Sequence, residues 1–291
     1  MTPPRIRLAF SSLAWSPAQD DAVRAMLVAR GVTGIELTPF KYWAATPDVS
    51  ANELATYRAA WSDAGISVVA LQGILFGKPA LQLFGSAEQR SALERHLAGM
   101  AMVAQSLGAT VIVLGAPQNR LRGALSEEAA VASAAPALRR IGDAYVAHGC
   151  VLCVEPNPAR YGGDFVRDLA EARRLVEVVA HPGFALHLDA GALAINDEAD
   201  EDVVAAARTA RHVHISEVDL APVGAGSVDH RRMGRLLREA GYDGWVSIEM
   251  KPVEPAKLAD SVHRAIDVAV EAYGPLSPWV SCTLLADERS R

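Results

Sequence analysis

Residues 184–191 read FALHLDAG: a short, nearly continuous apolar run that stops at Asp189 and passes at once into Ala190 and Gly191. A run without polar alternation is the pattern of a parallel strand buried on both faces. Working outward, the pattern recurs in VLCVEPNP (151–158), HVHISEVD (212–219) and WVSIEM (245–250), and earlier in RIRLAF (5–10), TGIELT (33–38), ISVVALQ (66–72) and ATVIVLG (109–115). Between these runs lie stretches of helical spacing. Leu93, Leu97, Met100, Ala104 and Leu107 step by three or four, as do Phe165, Leu169, Ala172, Val176 and Val179, each series marking one apolar helix face. Ser126 reads as an N-cap, and Gly31, Gly65, Gly108, Gly149 and Gly241 each close a helical stretch just before a strand. The rhythm gives eight strand–helix units of about 36 residues, near the ~30-residue scale of a βα repeat. Eight such units without an intervening helical domain predict an α/β fold, a single (β/α)8 TIM barrel over residues 1–291 with a C-terminal tail at 274–291. The rival doubly wound sheet would carry a glycine-rich phosphate turn after its first strand; the first strand here runs into SSLAWSP instead.

Composition narrows the function. The 291 residues carry 28 Lys+Arg against 34 Asp+Glu, a net charge of -6, which disfavours a nucleic-acid partner. The three cysteines, Cys150, Cys153 and Cys282, are too few and too oddly placed for a disulfide framework. No secretory signal or spanning segment is read, so a cytoplasmic location is expected and no membrane partner. The segment from Gly274, with Pro275, Pro278 and Trp279, reads as a cover for a pocket or for a neighbouring subunit of a homo-oligomer.

In a barrel, chemistry gathers where strands end. Strand five ends at Glu155, strand six at Asp189, strand seven at His214 and strand eight at Glu249, each about one βα unit from the next. A lone acid at a strand end is common. Three carboxylates and an imidazole on consecutive strands, each at the last inward position, form a ligand set for one divalent cation. Mostly oxygen donors with surplus negative charge favour a hard ion, Mn2+ or Mg2+, with Co2+ or Zn2+ as alternatives. His187 and His212 lie two residues before Asp189 and His214, hence on the same inward face one layer deeper, as partners of the ligands or as core histidines. Glu36, at the end of strand two, is expected to bind a substrate hydroxyl. Asn119 and Arg120 after strand four, and Lys251 two past Glu249, are expected to contact substrate. Trp15, Trp43, Phe76, Lys78 and Tyr161 fall in strand-to-helix loops, and His96, His148, His181 and His263 are read as surface residues.

Through VEPNP, LHLDAG, HVHISEVD with its later GAG, and GYDGWVSIEM, the chain from Arg5 to Tyr273 resembles the xylose isomerase-like barrel superfamily, which includes ketose 3-epimerases, hydroxypyruvate isomerase, inosose dehydratase and abasic-site endonucleases. The resemblance implies that Glu155, Asp189, His214 and Glu249 bind the metal. It also implies that Glu155 and Glu249 move a proton on and off a carbon beside a carbonyl through a metal-stabilised enediolate. The expected activity is isomerisation or epimerisation of a sugar, sugar phosphate or related polyol. The alternatives are dehydration of a cyclic polyol of the inosose type and sugar binding without catalysis. The epimerases carry a His three residues after the metal Asp and an Arg six after the metal His; here those positions are Ala192 and Leu220. The endonucleases' extra histidines have no counterpart near Gln72 or Gly115. The GAPQNR segment resembles that of some superfamily members, which implies that Arg120 replaces the missing substrate grips.

Overall fold

The computed structural model describes residues 5–277. Eight parallel strands close into a barrel in sequence order: β1 Arg7–Ser11, β2 Gly34–Leu37, β3 Ser67–Leu71, β4 Val111–Leu114, β5 Val151–Val154, β6 Phe184–Asp189, β7 Ala210–Ser216 and β8 Trp245–Glu249. Helices lie between them: α1 Asp20–Ala29, α2 Ala51–Ser62, α3 Ala87–Leu107, α4 Glu127–Ala147, α5 Leu169–Val179, α6 Ala190–Ile195, α7 Asp200–Ala207, α8 His230–Ala240 and α9 Leu258–Tyr273. The expected (β/α)8 barrel is what forms.

Alternation along each strand sorts side chains into two compartments. In β6, Phe184, Leu186 and Leu188 face the helices, while Ala185, His187 and Asp189 face the axis. In β7, Val213 and Ile215 point out and His212 and His214 point in; in β5, Leu152 and Val154 point out and Cys153 in. The outer compartment is the main apolar core. The inner one is filled with small groups (Ala9, Val69, Ala70, Val111, Val113, Cys153 and Ala185) at one level and with polar groups above them. Both Cys150 and Cys153 are buried free thiols, and Cys282 lies outside the described residues.

The helices form where their apolar stripes meet this wall. In α3, Leu93, Leu97, Met100, Ala104 and Leu107 are all buried. The helix opens on a Ser86/Gln89 capping box and closes on Gly108, whose φ of 84° is the left-handed conformation glycine adopts without penalty. Ser126 caps α4 by accepting from Ala129 N. At the far end of the barrel from the strand termini, Ile6 N donates to Pro275 O at 2.8 Å and Ser277 N to Ile6 O at 2.7 Å. Residues 275–277 therefore leave α9 along the foot of β1. Pro278 and Trp279 lie outside the described residues. No helix among the described residues is long and apolar enough to cross a membrane.

Candidate metal centre

Glu155, Asp189, His214 and Glu249 meet at one point: each offers a ligand atom within 4.8 Å of the others'. His214 Nδ1 lies 3.1 Å from Glu249 Oε2, 3.5 Å from Glu155 Oε1 and 3.8 Å from Asp189 Oδ2. Asp189 and Glu155 are held from behind. Asp189 is the N-cap of α6, its Oδ1 accepting from Ala192 N at 2.7 Å, while its Oδ2 accepts from Ser216 Oγ at 2.5 Å. Glu155 Oε2 accepts from Asn157 Nδ2 at 3.1 Å. The levels are not uniform, because register pairs Asp189 with His214 but Glu249 with Ser216. His214 is therefore not the last inward residue of β7; that is Ser216, which supports Asp189 instead.

The electrostatics call for a cation. Burial, with Glu155 and Glu249 alongside, raises the Asp189 carboxyl to about 7. Burial also raises Glu249, against the pull of His214. Burial works to lower His214, but Glu36 and Glu249 outweigh it and hold the imidazole well above its usual value. The raised Asp189 and Glu249 carboxyls thus hold protons more tightly than free carboxylates do, and a divalent ion bound there would compete with those protons. Oxygen-rich donors with one imidazole whose Nδ1 has no hydrogen-bond partner among the described residues fit a hard or borderline divalent cation.

A model of the xylose isomerase-like TIM barrel matches residues 25–268. The chain belongs to that family. No curated protein matches the sequence. Among solved structures, the chain is similar to D-psicose 3-epimerase with D-tagatose from Clostridium cellulolyticum H10 (14% identity over 92% of this chain and 100% of that one, TM-score 0.78). It is similar to the 3-keto-D-glucoside 4-epimerase YcjR from E. coli (18% identity, 89% of this chain and 98% of that one, TM-score 0.72). It is also similar to the IolI protein with a bound zinc atom (17% identity, 92% of this chain and 98% of that one, TM-score 0.71). At such identities these likenesses bear on the fold.

Beneath the ligands of this xylose isomerase-like barrel lies a second polar layer. Glu36 is fully buried, its Oε1 and Oε2 3.1 and 3.0 Å from His214 Nε2, and Oε2 3.3 Å from His212 Nε2. His212 and His214 outweigh burial and keep this carboxylate well below its ordinary range. The hydroxyl-binding expectation for Glu36 is thus corrected: it is fully buried and its oxygens are taken by His212 and His214. In the neutral ring, a carboxylate acceptor keeps the His214 proton on Nε2, so that the Nδ1 lone pair faces the ligands. His187 packs edge-on against His214, ring centroids 4.1 Å apart. Burial, with His214 and His212 beside it, holds His187 well below its usual value.

Two further expectations change. Asn119 donates Nδ2 to Lys78 O at 2.9 Å and Leu81 O at 2.7 Å, tying two loops together, so it is not free to grip substrate. Arg120 is 3% exposed and turns beneath Glu155, donating Nη2 to Glu155 O at 2.6 Å and to Asn157 Oδ1 at 2.7 Å. Burial lowers it to about 10, so it stays charged at neutral pH. It does not replace the missing grips. Lys251 remains exposed at the mouth. His96, expected on the surface, is buried, with Nε2 2.8 Å from Ile74 O. Of the loop aromatics, Trp15 is buried against Asp20, while Phe76 stacks on Phe40 at 4.2 Å and is 65% exposed, beside a cleft of about 270 Å³ that Lys78 also lines. Sequence reading missed Asn157, Ser216 and Glu217. Glu217 is buried and accepts from Gly224 N and Val228 N, shaping the loop after β7. The signal was present: each follows a ligand by two or three residues in VEPNP or HVHISEVD.

Proposed function

We propose that the chain is a divalent-metal-dependent isomerase or epimerase of a sugar, sugar phosphate or related polyol. The observation that carries this reading is the pair Glu155 and Glu249. They come from β5 and β8, three places apart around the eight-stranded ring, and both reach the ligand cluster at His214 Nδ1. Two carboxylates approaching one point from different walls can serve the two faces of a carbon. One takes the proton beside a carbonyl, and the other returns one from the opposite side, inverting that carbon. Asp189 and His214, locked by Ala192, Ser216 and Glu36, hold the frame rigid. A divalent ion, Mn2+ or Mg2+, held by the four residues would supply positive charge to the carbonyl oxygen and so acidify the neighbouring C–H. Burial of Asp189, His214 and Glu249 lowers the local dielectric and strengthens each of these interactions.

Psicose 3-epimerase and the 3-keto-glucoside 4-epimerase among the fold neighbours support a carbohydrate substrate. Ala192 and Leu220 bring no polar side chain to the rim, and Arg120 is turned inward. Lys251, exposed just past Glu249, is a cation that could meet a hydroxyl or phosphate oxygen. The test has two stages. Elemental analysis of the purified protein is expected to find about one Mn, Mg, Co or Zn per chain, lost or weakened in Glu249→Gln. Incubation with ketoses and their phosphates in D2O is expected to exchange a carbon-bound hydrogen. A wild-type protein that takes up no metal from Mn2+ or Mg2+ sinks the reading.

A further inference from the structure

Glu155 does not sit symmetrically in the cluster. Its Oε1 points inward, 3.5 Å from His214 Nδ1. Its Oε2 points the other way, onto Asn157 Nδ2 and against Gly115, where an added Cβ would stand 2.5 Å from it. Nothing intrinsic to a glutamate side chain requires that orientation, since a terminal carboxylate rotates easily.

The cause lies one residue further back. Arg120 is a buried donor with no acceptor, and the Glu155 carboxylate is an acceptor with no donor. Asn157 stands between them and can bridge only one way round: Oδ1 takes Arg120 Nη2 at 2.7 Å, which forces Nδ2 onto Glu155 Oε2. Arg120 also donates to the Glu155 carbonyl at 2.6 Å, so side chain and backbone of the same residue are fixed together. Asn157 itself is anchored through its backbone N–H to Val166 O at 3.0 Å.

We propose that Asn157, oriented by Arg120 and given room by Gly115, is a positioning residue that makes Glu155 offer one oxygen, not two, to a bound cation. The consequence concerns substrate. An octahedral ion held by one atom from each of four residues keeps about two positions for the adjacent oxygens of a sugar. A Glu155 free to rotate can chelate with both oxygens and close one of them. This rests on the metal-dependent reading above, and the experiment separates the two.

Mn2+ is titrated into the wild-type protein and into Asn157→Ala, and water-proton relaxation counts the exchanging waters on the bound ion without any substrate. The expected result is about two waters in the wild type and about one in Asn157→Ala, with Mn2+ affinity unchanged or up to about threefold tighter. Gly115→Ala, on another strand and leaving the Arg120–Asn157 bond alone, pushes Oε2 inward and is expected to lose a water likewise. Thermal unfolding of the metal-free variants identifies any that fail to fold, and either folded variant suffices. Unchanged hydration in a folded Asn157→Ala overturns the proposal, as does weaker Mn2+ binding with more water, which would mean that Glu155 has left the ion. Absence of Mn2+ binding by the wild type overturns this proposal together with the functional reading.

Discussion

Replacing Glu36 by Gln tests the layer beneath the ligands. Glu36 is fully buried and lies 3.0–3.1 Å from His214 Nε2 through its two oxygens. As a carboxylate it accepts the Nε2 proton, selects the tautomer with a free Nδ1, and makes the imidazole a stronger donor to a cation. A glutamine keeps the shape and one acceptor but loses the charge. Outer partners of this kind are worth about 10–100-fold in metal affinity, or about 1.4–2.8 kcal/mol. The charge-assisted bond alone is worth about 1.5–3 kcal/mol, the same range by a separate route. Glu36 also favours a second proton on His214, which competes with metal, so the loss is read most cleanly at high pH, where that competition fades. The assay is Mn2+ titration by calorimetry between pH 6 and 9, with circular dichroism to show that the fold persists. The expected result is a Kd weakened 10–100-fold, growing toward the upper end at high pH. A folded Glu36→Gln protein that binds Mn2+ within about twofold of wild type at all pH values would show that the His214–Glu36 contact is structural only.

Glu249→Gln removes a ligand rather than its support, so its Mn2+ affinity is expected to fall by more than the ~100-fold upper end for an outer partner, measured by the same titration. Metal should stabilise the protein more at pH 8 than at pH 5. Asp189, Glu249 and His214 have folded-state values above their unfolded ones, so the metal-free fold holds extra protons, and their contribution is present at low pH and lost as pH rises through the folded values. The Tm gain on adding Mn2+ at the two pH values checks this, and an equal or larger gain at pH 5 contradicts it. Gly234→Ala should cost about 1–3 kcal/mol in urea unfolding without changing metal affinity, because its Cβ would meet Ala272 O of α9 at 2.0 Å.

What the sequence made legible was whatever depends on period. The stripe Leu93–Leu107, the glycine that ends α3 and the inward set of β6 follow from repeat lengths of 3.6 and 2. The four ligands could be found because each lies at or near the end of such a run. Height within the barrel was not legible. Strands are staggered around a closed sheet, so equal distance from a strand's end is not equal depth. The β2–β3 register shifts between Ile35 and Glu36, and Glu36 ends among His212 and His214, not at the mouth. His214, taken as the last inward residue of its strand, is followed by Ser216 at the level of Glu249. Nor was side-chain direction in loops legible. Arg120 and Asn119 follow a strand as substrate-gripping residues would, yet the turn at Pro117–Asn119 sends one under Glu155 and the other across to Lys78 and Leu81.

The polar column inside the barrel has a consequence that reaches past any single residue. Glu36, Glu155, Asp189 and Glu249 put four carboxylates within the last layers of the barrel, and Arg120 is the buried guanidinium beside them. Isolated charges in such a place cost several kcal/mol each, and without a cation burial raises the Asp189 carboxyl to about 7 and Glu249 above its usual value, while the neighbouring carboxylates raise His214. In the proposed function these three must be free of protons to bind a metal, and Glu249, with Glu155, must also be free to accept one from a carbon acid. A divalent ion and a neutral His214 bring the column close to neutrality with the carboxylates ionised. On the proposed function, charging the site with metal and freeing Glu249 to act as a base are therefore one event.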